Sequence, residues 1–317
     1  MGKTIVVALG GNAILQNGQR GTRAEQYANL EQACRLLLPL IADGHRIVLT
    51  HGNGPQVGNL LIQQVEAADY APMMPMDICV GMTQGQIGTL LVQALTNHLR
   101  AEGLQRDVVT LVSHFLVDPA DADFKTLSKP VGPFLDERLK QRYEALPGHV
   151  IRQIGKDPQR PFRRVVASPR PLRLMEKRAL RALSEAGVIV VTAGGGGIPV
   201  MIQSDGAMRS IEAVIDKDLA AEKIAESIAA DILLILTDVE AVALHYGTPQ
   251  QRTLREVTLT EARTYFAEGH FASGSMSPKV LACIQFLEYG GETAIIAGLS
   301  SAERAIRGEA GTRFVKR

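Results

Sequence analysis

The chain has almost no net charge. Its 317 residues include 34 Lys and Arg against 33 Asp and Glu. Because the two signs nearly cancel, the composition gives no reason to expect a nucleic acid or an acidic membrane surface as a partner. Any positive charge that serves a function must therefore be placed locally.

Cysteines and long hydrophobic runs are also scarce. The three cysteines lie far apart, with no CxxC or Cys/His ligand spacing, so no disulfide framework or zinc site is indicated and a reducing cytoplasm is favoured. The apolar run at residues 5–9 is too short for a signal peptide or a membrane span, and no other stretch is expected to be long enough to cross a bilayer. With 46% hydrophobic residues, the sequence is typical of a soluble globular protein.

Short β-branched runs alternate with stretches of helical period. Most of the runs are continuously apolar, as in strands buried on both faces of a parallel sheet. The pattern predicts an α/β protein, a three-layer α/β/α sandwich with an open, mainly parallel central sheet. The predicted strands are 4–9, 46–50, 107–112, 188–193, 231–236 and 293–297, and the main predicted helices are 57–65, 82–99, 176–186, 219–228 and 280–289.

One segment, residues 118–171, departs from this alternation. It is rich in proline, charged and loop-forming residues, and only 150–154 and 164–167 resemble strands. We expect this segment to be an insertion that protrudes from the main sheet.

Glycine-rich loops follow three of the predicted strands. In an open parallel sheet, ligands bind beyond the carboxyl ends of the strands, where bare backbone N–H groups attract anions. The fingerprints GxGxxG and GxxxxGK[ST] are both absent, which argues against the common dinucleotide and P-loop folds. The loops contain Gly10, Gly11 and Asn12; His51, Gly52, Asn53 and Gly54; and the four glycines 194–197.

These loops predict phosphate binding, and each also has a plainer interpretation. The first loop could be only a tight turn, and the glycine run 194–197 only a flexible loop. His51 could transfer protons or act as a structural hydrogen-bonding group; we favour the structural role because phosphoryl transfer needs no base.

Two lysines lie where helices are expected to begin. A cation there opposes the helix dipole, so a bound anion between the lysine and the helix would explain it. Lys217 lies between two aspartates just ahead of the helix predicted from residue 219, where helix capping by aspartate is the alternative. Lys279 follows Pro278, which is expected to be the first residue of its helix. A third lysine, Lys129, lies in the insertion, where a solvated surface charge is the usual expectation.

Taken together and in order, these motifs resemble those of the carbamate kinases in the amino-acid kinase family, and the likeness runs from the first strand to the last. The quoted motifs are residues 8–13, 50–59, 82–85, 129–134, 194–200, 212–218, 269–271, 274–276 and 278–279.

The resemblance implies a single domain over residues 1–317. Within it, residues 1–200 would bind a small acid and carry the protruding subdomain at about 118–171, and residues 201–317 would bind the nucleotide. The implied phosphate contacts are Gly10, Gly11 and Asn12; the implied acid contacts are His51, Gly52, Asn53 and Gly54; and the implied catalytic lysines are Lys129, Lys217 and Lys279. The implied nucleotide contacts are Asp216, Thr237, Asp238, Val239, Tyr246, Gly247 and Met276.

By the same resemblance, the reaction is reversible phosphoryl transfer between ATP and carbamate, giving ADP and carbamoyl phosphate, in a cytoplasmic homodimer. Mg²⁺ would bridge the β- and γ-phosphates, and no residue is assigned as a metal ligand. Since carbamoyl phosphate has a high transfer potential, we expect the cell to make ATP from it, for example in arginine or related nitrogen catabolism. The alternatives are a kinase for a larger, acylated amino acid and a sensor that binds without turnover.

Overall fold

An eight-stranded sheet forms the centre of the fold in the computed structural model, which describes residues 2–272 and 275–317. The strands are β1 (Thr4–Leu9), β2 (Arg46–His51), β3 (Val108–Leu111), β4 (His114–Val117), β5 (Lys129–Leu135), β6 (Val150–Gln153), β7 (Phe162–Val166), β8 (Pro171–Leu174), β9 (Ile189–Thr192), β10 (Ile198–Ile202), β11 (Met208–Ser210), β12 (Ile232–Thr237), β13 (Ala243–Leu244), β14 (Arg252–Thr253), β15 (Glu256–Thr258), β16 (Thr293–Gly298) and β17 (Thr312–Val315).

The main sheet has the order β15-β17-β16-β12-β1-β2-β9-β3 and is parallel except for the β16–β17 pair. All six predicted strands are present in it, and the prediction of an open, mainly parallel sheet is confirmed. The helices are α1 (Arg23–Ala42), α2 (Gly54–Glu66), α3 (Met76–Ala101), α4 (Asp123–Thr126), α5 (Glu137–Glu144), α6 (Lys177–Glu185), α7 (Lys217–Ser227), α8 (Leu259–Ala267), α9 (Met276–Tyr289) and α10 (Ala302–Ile306).

Helices cover both faces of the sheet, as the side chains of β1 show. Val7 belongs to a core cluster built with α1, α3 and α10, whereas Val6 belongs to a second cluster built with α6, α7 and α9. Successive residues of a strand point to opposite faces, so a continuously apolar strand serves two helical layers at once. The predicted α/β/α sandwich is therefore confirmed.

Helix α3 corrects one expectation. Among residues 2–272 and 275–317 it is the one helix long and apolar enough, by length and composition, to cross a membrane. Its residues Ile87, Leu91 and Leu95 are fully buried in the core cluster shared with α1. This burial identifies α3 as a core helix.

The insertion has a small antiparallel sheet of its own, with the order β5-β7-β6. The two predicted strands correspond to β6 and β7, but residues 129–135, where no strand was predicted, form the further strand β5. Proline is excluded from central strands and tolerated at edges and bulges. Strand β5 is an edge strand, and its pairing with β7 shifts register between Val131 and Leu135, so Pro130 and Pro133 fit.

Candidate active site

A cavity of about 240 Å³ lies where β2 ends and where α2, α7 and α9 begin. Its wall brings together Lys129, Lys217 and Lys279, which are far apart in sequence and were singled out separately. The three lysines outnumber the two carboxylates on the same wall, Asp216 and Asp218, so the cavity has a local excess of positive charge in a chain with almost no net charge. The cavity is suited to an anion.

Two of these lysines share one carboxylate. Asp218 is 2% exposed, and its Oδ1 and Oδ2 lie 2.7 Å from Lys217 Nζ and 3.1 Å from Lys279 Nζ. Burial alone would raise the pKa of Asp218, but the two neighbouring ammonium groups outweigh it, so that this pKa lies below its ordinary value. Asp218 is thus a fixed negative charge that holds both lysine heads at the cavity.

The helix starts differ slightly from the predicted ones. Helix α7 begins at Lys217, and its N-cap Asp216 accepts a hydrogen bond from the Asp218 backbone N–H, so the expected aspartate cap is present beside the lysine. Helix α9 begins at Met276, two residues before Pro278, which corrects the predicted start. A proline is tolerated in the first turn because the N–H it lacks would have no helical partner there.

Lys129 reaches the cavity from the insertion. Its Nζ donates to Asp216 Oδ2 at 2.9 Å, across 87 residues of sequence. Asp216 therefore lies between the insertion and the start of α7, and it lines the same cavity as the lysines. The contact brings Lys129 and the start of β5 to the wall of the anion cavity.

The loop after β2 forms another part of the cavity wall. Gly52, Asn53 and Gly54 all line the cavity. The Gly52 N–H donates to the Leu9 carbonyl at 3.2 Å, which holds the loops after β1 and β2 side by side. Asn53 is buried, and its Nδ2 donates to Thr83 Oγ1 at 2.8 Å.

His51 lies behind this loop and does not line the cavity. It is 1% exposed, with Nδ1 2.8 Å from the Gly52 carbonyl oxygen. Burial, together with the charge of Lys217, lowers the pKa of His51 from 6.5 to about 4, against the opposing effect of that hydrogen bond. The imidazole is neutral at pH 7, and its position supports the structural role.

This pKa leads to a prediction about acid stability. The unfolded chain protonates at His51 near pH 6.5 and the folded chain only near pH 4, so stability falls as the pH drops through this window. The full loss is about 3 kcal/mol. His51→Gln should flatten the decline in unfolding free energy between pH 6.5 and 4, measured by urea titration. The same decline in the variant as in the wild type would contradict the buried, neutral state, and the exposed His245→Gln is the control.

The glycine run 194–197 packs closely against the loop that contains Asn53. A Cβ on Gly195 would overlap the side chain of Asn53, and one on Gly196 would overlap the carbonyl of Ile215. These two glycines also have φ of +69° and +93°, which side-chain-bearing residues rarely adopt. The run is closely packed beneath the Asn53 loop, and Gly195 also lines the cavity.

A second cavity, of about 180 Å³, adjoins the first. The two share Ser275 and Lys279. Five of the residues predicted to contact nucleotide line the second cavity: Thr237, Asp238, Val239, Tyr246 and Met276. The other two do not: Asp216 lines the first cavity, and Gly247 lines neither of the two.

The predicted phosphate loop lies next to both cavities rather than on their walls. Gly10 and Asn12 line a third cavity, to which Thr237 and Asp238 also contribute. A Cβ on Gly52 would lie 3.6 Å from the Gly11 nitrogen, so the loop touches the acid-side loop at Gly11. Gly274, part of one quoted motif, lies outside the described residues.

Sequence reasoning missed one cation of the first cavity, Arg163. It lies on β7 beside Arg164, which is 3% exposed and pairs with Glu212 at 2.7 Å. The sequence alone does not indicate which of two adjacent arginines faces a ligand. The register of β7 with β5 and β6 decides that, and it is set by tertiary pairing.

A divalent cation would need partners beyond the protein. Within residues 2–272 and 275–317, no group of three or more His, Cys, Asp and Glu residues could hold a metal ion. Mg²⁺ commonly binds through one or two carboxylates together with substrate phosphates. The carboxylates on the first cavity are already engaged, Asp218 by Lys217 and Lys279 and Asp216 by Lys129, so the nucleotide phosphates would bring most of the ligands.

An α/β/α sandwich with lysines at helix N-termini around an anion cavity, next to a second cavity at the same sheet edge, is suited to an ATP-dependent phosphotransferase. A sequence profile described as "Amino acid kinase family" matches residues 3–298, and the chain belongs to that family.

Named relatives are similar over the whole chain. The carbamate kinase of Pyrococcus furiosus is 48% identical over 99% of this chain and 100% of its own length. The carbamate kinase of Thermococcus kodakarensis is 48% identical over 99% of both chains. The solved structure of carbamate kinase from Giardia lamblia bound to AMP-PNP superposes with a TM-score of 0.93 at 41% identity, covering 100% of this chain and 99% of that one.

Proposed function

We propose that this protein is a carbamate kinase, which catalyses ATP + carbamate = ADP + carbamoyl phosphate in both directions. One observation carries the proposal: Lys217 and Lys279, fixed by the shared Asp218, lie on a small anion cavity that adjoins a second cavity through Lys279. The full-length similarity to carbamate kinases supports the choice of acid.

The chemistry suits groups that neutralise charge. A carbamate oxygen is already a nucleophile, so no general base is required, and the neutral, buried His51 is consistent with this. Lys217 and Lys279 stabilise negative charge on the transferring group. Strand β5 of the insertion acts as a lid over the cavity and brings Lys129 to that group. Mg²⁺, when bound with the nucleotide, supplies further neutralisation of the phosphates.

The division of labour follows the two cavities. The nucleotide would occupy the one lined by Thr237, Asp238 and Tyr246, within residues 201–317. The acid would lie by Gly52, Asn53 and Gly54, within residues 1–200. The 240 Å³ of the acid cavity must hold the transferred phosphoryl group as well, which favours a very small acid over an acylated amino acid.

We also propose that the cell uses the enzyme to make ATP from carbamoyl phosphate in the cytoplasm, as part of arginine or related nitrogen catabolism. Carbamoyl phosphate is a mixed anhydride, so transfer of its phosphoryl group to ADP is the thermodynamically favourable direction. The three buried, unpaired cysteines suit a reducing compartment.

A homodimer is part of the proposal. Ile78 and Met82 are exposed one turn apart on α3, and Ile202 and Met208 are exposed opposite each other on the β10–β11 pair. The Ser210 hydroxyl donates to Asp77, which ties this strand pair to the start of α3. Apolar side chains exposed on neighbouring elements are suited to burial against a second copy.

The test is to mix the purified protein with ADP, Mg²⁺ and carbamoyl phosphate and to measure ATP. Formation of ATP with saturation in both substrates is expected. Activity only with an acyl phosphate of an amino acid would indicate the larger-acid kinase, and binding of both ligands without turnover would indicate a sensor.

A further inference from the structure

Arg163 is the fourth cation of the acid cavity and differs from the three lysines. Each lysine has a carboxylate oxygen within 3.1 Å: Asp216 for Lys129 and Asp218 for Lys217 and Lys279. Among the residues that the structure describes, Arg163 has no carboxylate within ion-pair distance. The neighbouring Arg164 is on the other side of β7, paired with Glu212.

This isolated charge is half-buried. Burial lowers the pKa of Arg163, which is the direction expected when a cation loses water without gaining an anion. Guanidinium groups in such positions are commonly paired with carboxylates or phosphates. We therefore expect an anion that binds in the cavity to be the counterion of Arg163.

The guanidinium is held in a fixed orientation. Its Nε donates to the Gly132 carbonyl at 2.8 Å, and its Cζ lies 5.2 Å from the centre of the Phe134 ring. Both contacts are with the irregular part of β5, where the register with β7 shifts. The two Nη groups make no hydrogen bond with any described residue, so their N–H groups are available to donate to a ligand.

Arg163 also lies at the acid end of the cavity. Gly132, its backbone partner, packs against α2: a Cβ on Gly58 would lie 3.0 Å from Gly132 Cα. Helix α2 begins at Gly54, in the loop that forms the acid wall. Lys279, by contrast, lies where the acid and nucleotide cavities meet.

We propose that Arg163 binds the carboxylate-like end of the small acid, with its Nη groups donating to the acid's oxygens. Carbamate presents two oxygens on one planar carbon, the geometry that an arginine fork matches. In carbamoyl phosphate, the same two atoms are the carbonyl oxygen and the oxygen that bridges carbon and phosphorus. Arg163 would thus recognise the acid, while Lys217 and Lys279 act on the phosphoryl group.

The inference rests on the proposed function, so ATP formation by the wild-type protein is measured first. Arg163→Gln should then raise the KM for carbamoyl phosphate about 10- to 100-fold, the range for loss of hydrogen bonds to a charged group, and change the KM for ADP less than about two-fold. Arg163→Lys, which keeps the charge without the fork, should give a smaller rise. Arg160→Gln, an exposed arginine of the same insertion, is the control.

The outcomes separate the two claims. No ATP from the wild type would refute the proposed function itself. An active wild type with an unchanged KM for carbamoyl phosphate in either Arg163 variant would overturn the acid contact alone. Equal increases in the KM values for ADP and carbamoyl phosphate would also overturn it, since they would indicate that Arg163 only holds β5 in position. The lysine variant keeps the long side chain, so the test holds if the glutamine variant folds poorly.

Discussion

Lys217→Ala is expected to lower kcat about a thousand-fold while changing the Kd for ADP only a few-fold, because a cation that stabilises the transferring group acts mainly in the transition state. Lys217 Nζ is fixed on Asp218 at the cavity, and the residues expected to bind adenine and ribose lie on the other cavity. Steady-state kinetics of ATP formation, together with calorimetric titration of ADP, measure the two quantities separately.

A matched control is available for this variant. Lys177 is also the first residue of a helix, but it is exposed and lines neither cavity. Lys177→Ala should therefore leave kcat unchanged. If Lys217→Ala lost turnover and ADP affinity by equal factors, Lys217 would be a nucleotide-binding residue only.

Asp218→Asn should reduce kcat about a hundred-fold or more, since one neutral side chain would replace the counter-charge of two lysines. The variant removes no cation, so a loss of this size would show that the positions of the lysines matter as well as their presence.

The lowered pKa of Asp218 adds a pH effect on stability. The Asp218 carboxylate stabilises the fold above the ordinary pKa of 3.8, and this stabilisation is lost as the pH falls through the lower pKa of the folded state.

The measurement is kcat at neutral pH, with thermal unfolding to confirm that the variant is folded. Asp43→Asn, at an exposed helix end, is the control and should behave as the wild type. A kcat for Asp218→Asn equal to that of the wild type would show that the lysines need no carboxylate to hold them.

The strands of the main sheet could be predicted from the sequence because a strand buried on both faces must be continuously apolar. β1 and β12 are of this kind, and their predicted and observed bounds agree within a residue. The edge strand β5 could not be predicted, because its two prolines are admitted only by an edge position and a bulge. Those features arise from pairing with β7, which begins 27 residues after β5 ends, so the local sequence of β5 gives no signal of them.

The lysines of the site could be predicted as separate anomalies, each a cation at a helix start or in a charged insertion. Their partners could not be, because Asp216 and Asp218 are both adjacent to Lys217 in the sequence. The structure assigns Asp218 to Lys217 and Lys279, and Asp216 to Lys129. Which aspartate pairs with which lysine depends on the helical turn at 216–218 and on how β5 and α9 pack against it. Such packing belongs to the tertiary structure and leaves no local pattern in the sequence.

The central claim is that this site transfers a phosphoryl group directly between carbamoyl phosphate and ADP, by charge neutralisation and without a covalent phosphoenzyme. Carbamoyl phosphate made chiral at phosphorus with oxygen isotopes tests it most directly. The account predicts ATP whose γ-phosphorus has inverted configuration, the result of one in-line displacement. Retention of configuration, or no labelled ATP at all, would contradict it.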